Sequence, residues 1–211
     1  MKIPIPNFLR WYPVMSLLLA GILVALFMFL YDYLKVNYFK VETHIPVFSI
    51  GVHHMGSDYR IPDFYVNKYS AGSVGESGGG GGMVCCFMLP KKWYPGLKAD
   101  VRWELRHITR ESSGSGAKTE EVAGFYRAQV PVEAYAKPGD FYVHFFPGGR
   151  VRIVVSEFSI TGKEHPIQGD DPLASQTATP GSPIKSLFTA EELAEFEREF
   201  ARDKAKYGDW R

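Results

Sequence analysis

From Trp11 to Tyr31 the chain carries no charged residue, and the middle of that stretch, Val14 to Leu30, reads VMSLLLAGILVALFMFL. Coiled at about 1.5 Å per residue, it is about long enough to cross a hydrocarbon layer of ~30 Å, so it reads as a transmembrane helix. Trp11 and Tyr12 precede it and Tyr31, Tyr33 and Tyr38 follow it, which puts amphipathic rings where headgroups would lie. The apolar run exceeds the roughly 7 to 15 residues of a signal peptide, and no small-x-small cleavage site follows, so the segment reads as an anchor that is kept. Lys2 and Arg10 ahead of the span balance Lys35 and Lys40 behind it. The free amino terminus tips the count, placing the N-terminus in the cytoplasm and the rest across the membrane; a cytoplasmic domain is the alternative.

Residues 1–38 thus form a stub and anchor. Beyond them the reading is a β-rich domain over 39–160, a Pro/Gly-rich loop over 161–188 and a docked helix over 189–208. The clearest strand is Lys98 to Arg106, where Ala99, Val101, Trp103 and Leu105 alternate with charged residues, giving one buried and one wet face. Ile45–Val52 and Ile61–Tyr69 are shorter candidates, and Met83–Leu89 is apolar throughout, like a strand buried on both faces. A polar connection at Ser112–Lys118, then Lys137-Pro138-Gly139-Asp140 and Pro147-Gly148-Gly149, separate Lys98–Arg106, Glu121–Val132, Phe141–Phe146 and Arg150–Phe158. That order predicts a mainly β fold, an antiparallel meander within a sandwich or partly open barrel of about seven strands. Thr161–Lys185, with four prolines among Gly, Ser, Thr and Asp, predicts a long irregular loop. Thr189-Ala190-Glu191-Glu192 is a capping box. The amphipathic helix it starts carries Leu193, Phe196 and Phe200 on one face, and Gly208 stops it.

Function classes narrow by chemistry. With 24 Lys plus Arg against 23 Asp plus Glu, the net charge of +1 argues against nucleic-acid binding through bulk positive charge. Gly75-Glu76-Ser77-Gly78-Gly79 satisfies Gly-x-Ser-x-Gly. It lacks the strand before and helix after that a nucleophile elbow requires, and a run of glycines makes a chance match easy. A flexible or tightly turned loop beside another backbone is the better use for those glycines. Cys85 and Cys86 are the only cysteines. Adjacent residues of a strand face opposite ways, so they read as two small, partly buried thiols. The 6 His residues show no metal-like spacing and read as solvated or hydrogen-bonded. No catalytic, cofactor-binding or metal-binding residue is expected, and the chain does not read as an enzyme. Lys91, Lys92, Trp93 and Tyr94 place aromatic rings beside cations and are the candidate partner-binding residues.

Between Gly78 and Trp103, the glycine run, Val84-Cys85-Cys86, Leu89-Pro90, Trp93, Pro95-Gly96-Leu97, Val101 and Trp103 resemble the signature of a bacterial domain-of-unknown-function family. Phe64, Val66, Asn67 and Gly72 upstream resemble its first block. Some members are encoded beside type VI secretion phospholipase toxins and serve as their immunity proteins. The resemblance implies a protein that binds and neutralises a lipase toxin by occlusion, with no cofactor and no small-molecule substrate. Many relatives are lipoproteins, whereas this chain carries an apolar helix; either tether would hold the domain at the envelope. With the anchor, the expectation is a single-pass protein of the bacterial inner membrane with a periplasmic domain. The alternatives are an envelope structural or assembly factor of a secretion system and, further off, a hydrolase or thiol enzyme.

Overall fold

The computed structural model describes residues 12–37, 43–79, 84–110, 117–169 and 173–208. The stub at 1–11, the glycines at 80–82 and the connection at 112–116 lie outside the described residues. Two compact units divide at Glu42 and Thr43.

The first unit holds helix α1, Tyr12–Asn37. Its described side chains, 19–31, are exposed, among them Leu19, Ile22, Phe27 and Phe29. Among the described residues no helix is long and apolar enough to cross a membrane.

The second unit is two five-stranded sheets. In chain order the strands are β1 (His44–His53), β2 (Tyr59–Val66), β3 (Tyr69–Val74), β4 (Val84–Pro90), β5 (Lys98–Arg110), β6 (Lys118–Pro131), β7 (Asp140–Phe146), β8 (Arg150–Ser156), β9 (Thr179–Pro180) and β10 (Ser182–Ile184); helix α2 (Ala190–Tyr207) follows. Sheet A runs β4-β1-β7-β8-β9 and sheet B β10-β6-β5-β2-β3. Inward residues of both, including Val47, Phe64, Trp103, Val143, Phe145 and Ile153, form one core, so the sheets pack face to face as a sandwich rather than closing into a barrel. Ala99, Val101, Trp103 and Leu105 all enter that core, as their alternation predicts.

Several expectations change. The four late strands are not one meander, for β5 and β6 pair in sheet B while β7 and β8 pair in sheet A. The turn at 137–139 therefore serves a crossing between sheets, and Val132 is held on that path by an indole bond from Trp93 to its carbonyl, 2.9 Å. Strand β1 runs parallel to β7, pairing Ser49 with Phe141 through His53 with Phe145. The segment Ile61–Tyr69 is not one strand. It folds at Asn67 and Lys68, whose φ angles of 51° and 72° make a tight turn of the kind that matches strand twist. Strand β4 is an edge rather than a doubly buried strand, with Met88 58% exposed.

Parts of the two outer faces are covered as well. Across sheet A, a strap made of residues 157–169 and 173–178 packs Ile167, Ala174 and Ala178 onto Val52, Tyr142, Phe146 and Val154. This is why every residue of Phe141–Phe146 is buried. The expected irregular loop then contributes β9 to sheet A and β10 to sheet B, linking the sheets through Gly181. Over sheet B, the expected wet face of β5 is covered at its centre, where Arg102 is 2% and Glu104 9% exposed, while Lys98 stays exposed and Asp100 and Arg106 half-buried. The cover over Arg102 is the start of α2, whose Thr189 and Glu192 form both bonds of the capping box, while Glu104 pairs with Arg106 of its own strand.

Candidate functional site

Three regions of the β-unit bring chemistry together. The first is the side of the sandwich where β3 and β4 are the edge strands. The β2–β3 turn is stapled to β5 by Asn67 N to Asp100 O (2.8 Å) and Asp100 N to Asn67 Oδ1 (2.9 Å). So fixed, it thrusts Tyr69 outward, 74% exposed. On one side Tyr69 borders a cleft of about 550 Å³ with Phe87, Met88 and Cys85 of β4. On the other it borders a cleft of about 570 Å³ whose far wall is Phe188, Leu193 and Phe196. Lys68 bridges this second cleft, its Nζ 3.5 Å from Glu195 and 6.0 Å over the Phe196 ring. An aromatic knob between two apolar clefts, rimmed by paired charges, has the composition of a protein-binding hot spot.

What sets the position of α2, and so of the second cleft, is a buried guanidinium. Arg102 donates from Nη1 and Nη2 to Glu192, both at 2.8 Å, from Nη1 to the Leu187 carbonyl at 2.8 Å, and from Nε to Asp100 at 3.1 Å. Phe188 lies 5.0 Å below it. The fork of Arg102 and the Thr189 cap amide hold the Glu192 carboxyl down to about 2, and Glu192 in turn raises Arg102.

The second region is the loop holding Ser77. His53 donates from Nε2 to Gly75 O at 2.7 Å, and its backbone N donates to Gly78 O at 2.9 Å. Gly78 has φ +81°, and a Cβ there would stand 2.8 Å from the His53 carbonyl, so only glycine fits beside that strand end. Ser77, His54, His144 and Thr161 line one pocket of about 430 Å³. The histidines packed around this loop and the strap, His53, His54, His144 and His165, are hydrogen-bonded. Burial lowers the pKa of each, that of His144 furthest. Among the described residues no group of three His, Cys, Asp or Glu is placed to hold a metal ion.

The third region holds the residues named from sequence. Lys91, Lys92 and Tyr94 are exposed, Tyr94 by 52%, while Trp93 is half-buried. They follow directly on edge strand β4, but Trp93 spends its N–H on Val132 and acts as a structural peg. Cys85 is exposed and disulfide-bonded, which replaces the expected buried thiol; the side chain at 86 lies outside the described residues. Sequence reasoning missed Tyr69, because its exposure depends on the turn, and missed the grouping of His54, His144 and His165. A histidine inside the apolar run Phe141–Phe146 was the one local hint.

The class defined by this architecture is a two-sheet β-sandwich with strapped outer faces and a helix-walled edge. Residues 54–153, less than half of the chain, match the family described as a protein of unknown function (DUF3304). The match takes in β2 through most of β8, with Tyr69, His54 and His144 inside it and His165 and α2 beyond it. No curated protein and no solved structure matches the chain.

Proposed function

We propose that this chain is a membrane-anchored protein-binding module, an immunity protein that neutralises a type VI secretion lipase toxin by covering its active-site mouth. The observation that carries the reading is the edge built on Tyr69, where a rigidly held aromatic ring stands between two apolar clefts. The resemblance of the Gly78–Trp103 segment to a family with immunity members supports the choice of partner. The uncharged stretch within α1, with its row of exposed Leu, Ile and Phe, supports an inner-membrane anchor with the β-unit in the periplasm. Lys91, Lys92 and Tyr94 extend the binding face beyond β4.

The test is co-purification with the lipase encoded beside this gene, followed by a phospholipase assay. The full chain binds stoichiometrically and suppresses activity, and no cleaved toxin appears. Tyr69→Glu, which puts a charge at the centre of the face, weakens binding at least tenfold without unfolding the chain. Failure of the wild-type chain to bind or to protect cells hands the case to an envelope assembly factor. One observation favours a hydrolase instead: Ser77 and His54 share a pocket. Ser77→Ala decides it, since the binding module keeps full protection while a serine hydrolase loses its activity with folding intact.

A further inference from the structure

Three imidazoles stand in a row on the outer face of sheet A. His54 Nε2 lies 2.9 Å from His144 Nδ1, His144 Nε2 lies 3.1 Å from His165 Nε2, and His165 Nδ1 lies 3.0 Å from the Phe158 carbonyl. His54 and His144 stack at 5.2 Å, and Tyr142 meets His165 edge-on at 4.7 Å. The carbonyl at the end sets the direction of the whole row. A carbonyl only accepts, so His165 Nδ1 carries hydrogen and the Nε2 of neutral His165 is bare. That bare nitrogen accepts from His144 Nε2–H, which leaves His144 Nδ1 bare to accept from His54 Nε2–H. One nitrogen is left over, His54 Nδ1, with a free lone pair on a ring that lines the pocket shared with Ser77 and Thr161.

We propose that this row is a proton-accepting site with a built-in relay, which takes one proton from solvent or an acidic ligand at His54 Nδ1 and delivers the charge to His165. As that N–H bond forms, the Nε2 proton of His54 crosses to His144 Nδ1 and the Nε2 proton of His144 crosses to His165 Nε2. Both hydrogen bonds survive with their direction reversed. His165 is the resting place because its Nδ1–H already points at the Phe158 carbonyl dipole. The groups around the row leave that order unchanged. His53, at the end of β1, is engaged on both nitrogens, donating to Gly75 O and accepting from Met55 N at 3.4 Å. Arg152 of β8 disfavours charge on His144, although Glu133 pairs with it at 2.7 Å. Tyr142 of β7 is neutral, and Lys163 and Glu164 flank His165 on the strap as an exposed pair of opposite sign.

A second proton has no such route, because it sets two N–H groups face to face and one contact must open. The row therefore clasps residues 158–169 through the first protonation and frees them on the second. The strap's other half is fastened by guanidinium groups instead of imidazoles: Arg150 to the Ser175 and Ala178 carbonyls, and Arg152 to that of Ala174.

Histidine 15N–1H correlation spectra of the full-length chain in detergent, followed from neutral pH downward, test the relay. At neutral pH His165 shows the Nδ1–H form, and His144 and His54 the Nε2–H form. On the first proton uptake His144 stays neutral but changes to the Nδ1–H form while His165 becomes the imidazolium. A tautomer change in a buried neutral histidine is a signature that simple packing does not produce. If His144 keeps Nε2–H while His54 holds the charge, the relay is wrong. His54→Gln, whose amide nitrogen reaches the place of Nε2, still donates to His144 Nδ1 but closes the entrance, so His144 should keep its neutral form until amides of residues 158–169 lose protection. A tautomer switch persisting in that variant would equally overturn the proposal.

Discussion

Glu192→Gln removes one charge and little else, because glutamine has the same shape and is itself a capping-box residue. Its effect should be large for a side chain near the surface. The carboxylate is held at about 2 against an ordinary 4.5, and at ~1.36 kcal/mol per pH unit that corresponds to about 3 kcal/mol of native-state stability at neutral pH. Breaking a buried ion pair typically costs ~3 to 5 kcal/mol, since the surviving charge is stranded. Here Arg102 is 2% exposed but keeps Asp100, and Glu192 retains 19% exposure, which moves the expectation to the lower end, about 2 to 3 kcal/mol. The sign with pH follows from a depressed folded pKa. The stabilisation is complete above the unfolded value near 4.5 and is lost as pH falls towards 2. Urea unfolding followed by tryptophan fluorescence should therefore show Glu192→Gln less stable at pH 7, with the gap to wild type closing across that acidic window. Two curves that coincide at pH 7 within ~0.5 kcal/mol, or a gap that stays constant down to pH 2, would refute the assignment of Arg102–Glu192 as the bond that fixes α2.

Trp103→Ala should cost about 3 to 5 kcal/mol by denaturant midpoint, because the indole is 1% exposed, stacks on Tyr126 at 5.3 Å and packs against the Gly181 link between the sheets. Gly78→Ala should cost about 1 to 3 kcal/mol, since the new methyl meets the His53 carbonyl at a φ of +81°; hydrogen exchange should show the loss first in the amides of 75–79. A periplasm-dependent reporter fused after Arg211 should be active, and activity of a cytoplasm-dependent reporter there would reverse the proposed orientation.

Elements whose information is local were legible in the sequence. The capping box at Thr189 needs only residues within one turn, the hairpin turn at 147–149 needs only its glycines, and the alternation of Ala99 to Leu105 needs only a core on one side. Long-range pairing was not legible. Nothing in Ile45–Val52 says that this strand lies parallel to β7, since its side-chain period is the same beside either neighbour. Nor could periodicity reveal that Arg102 is covered, because a charged face reads as wet until another element brings matching charges to it, and here Glu192 arrives from far along the chain. The histidine row has the same origin. His54, His144 and His165 are spread over most of the β-unit, and only the parallel register of β1 on β7, followed by the return of the strap, sets their rings within hydrogen-bonding distance. Local chemistry chose the elements; the packing of strap and helix onto the outer faces, which only the assembled chain achieves, decided which polar groups meet.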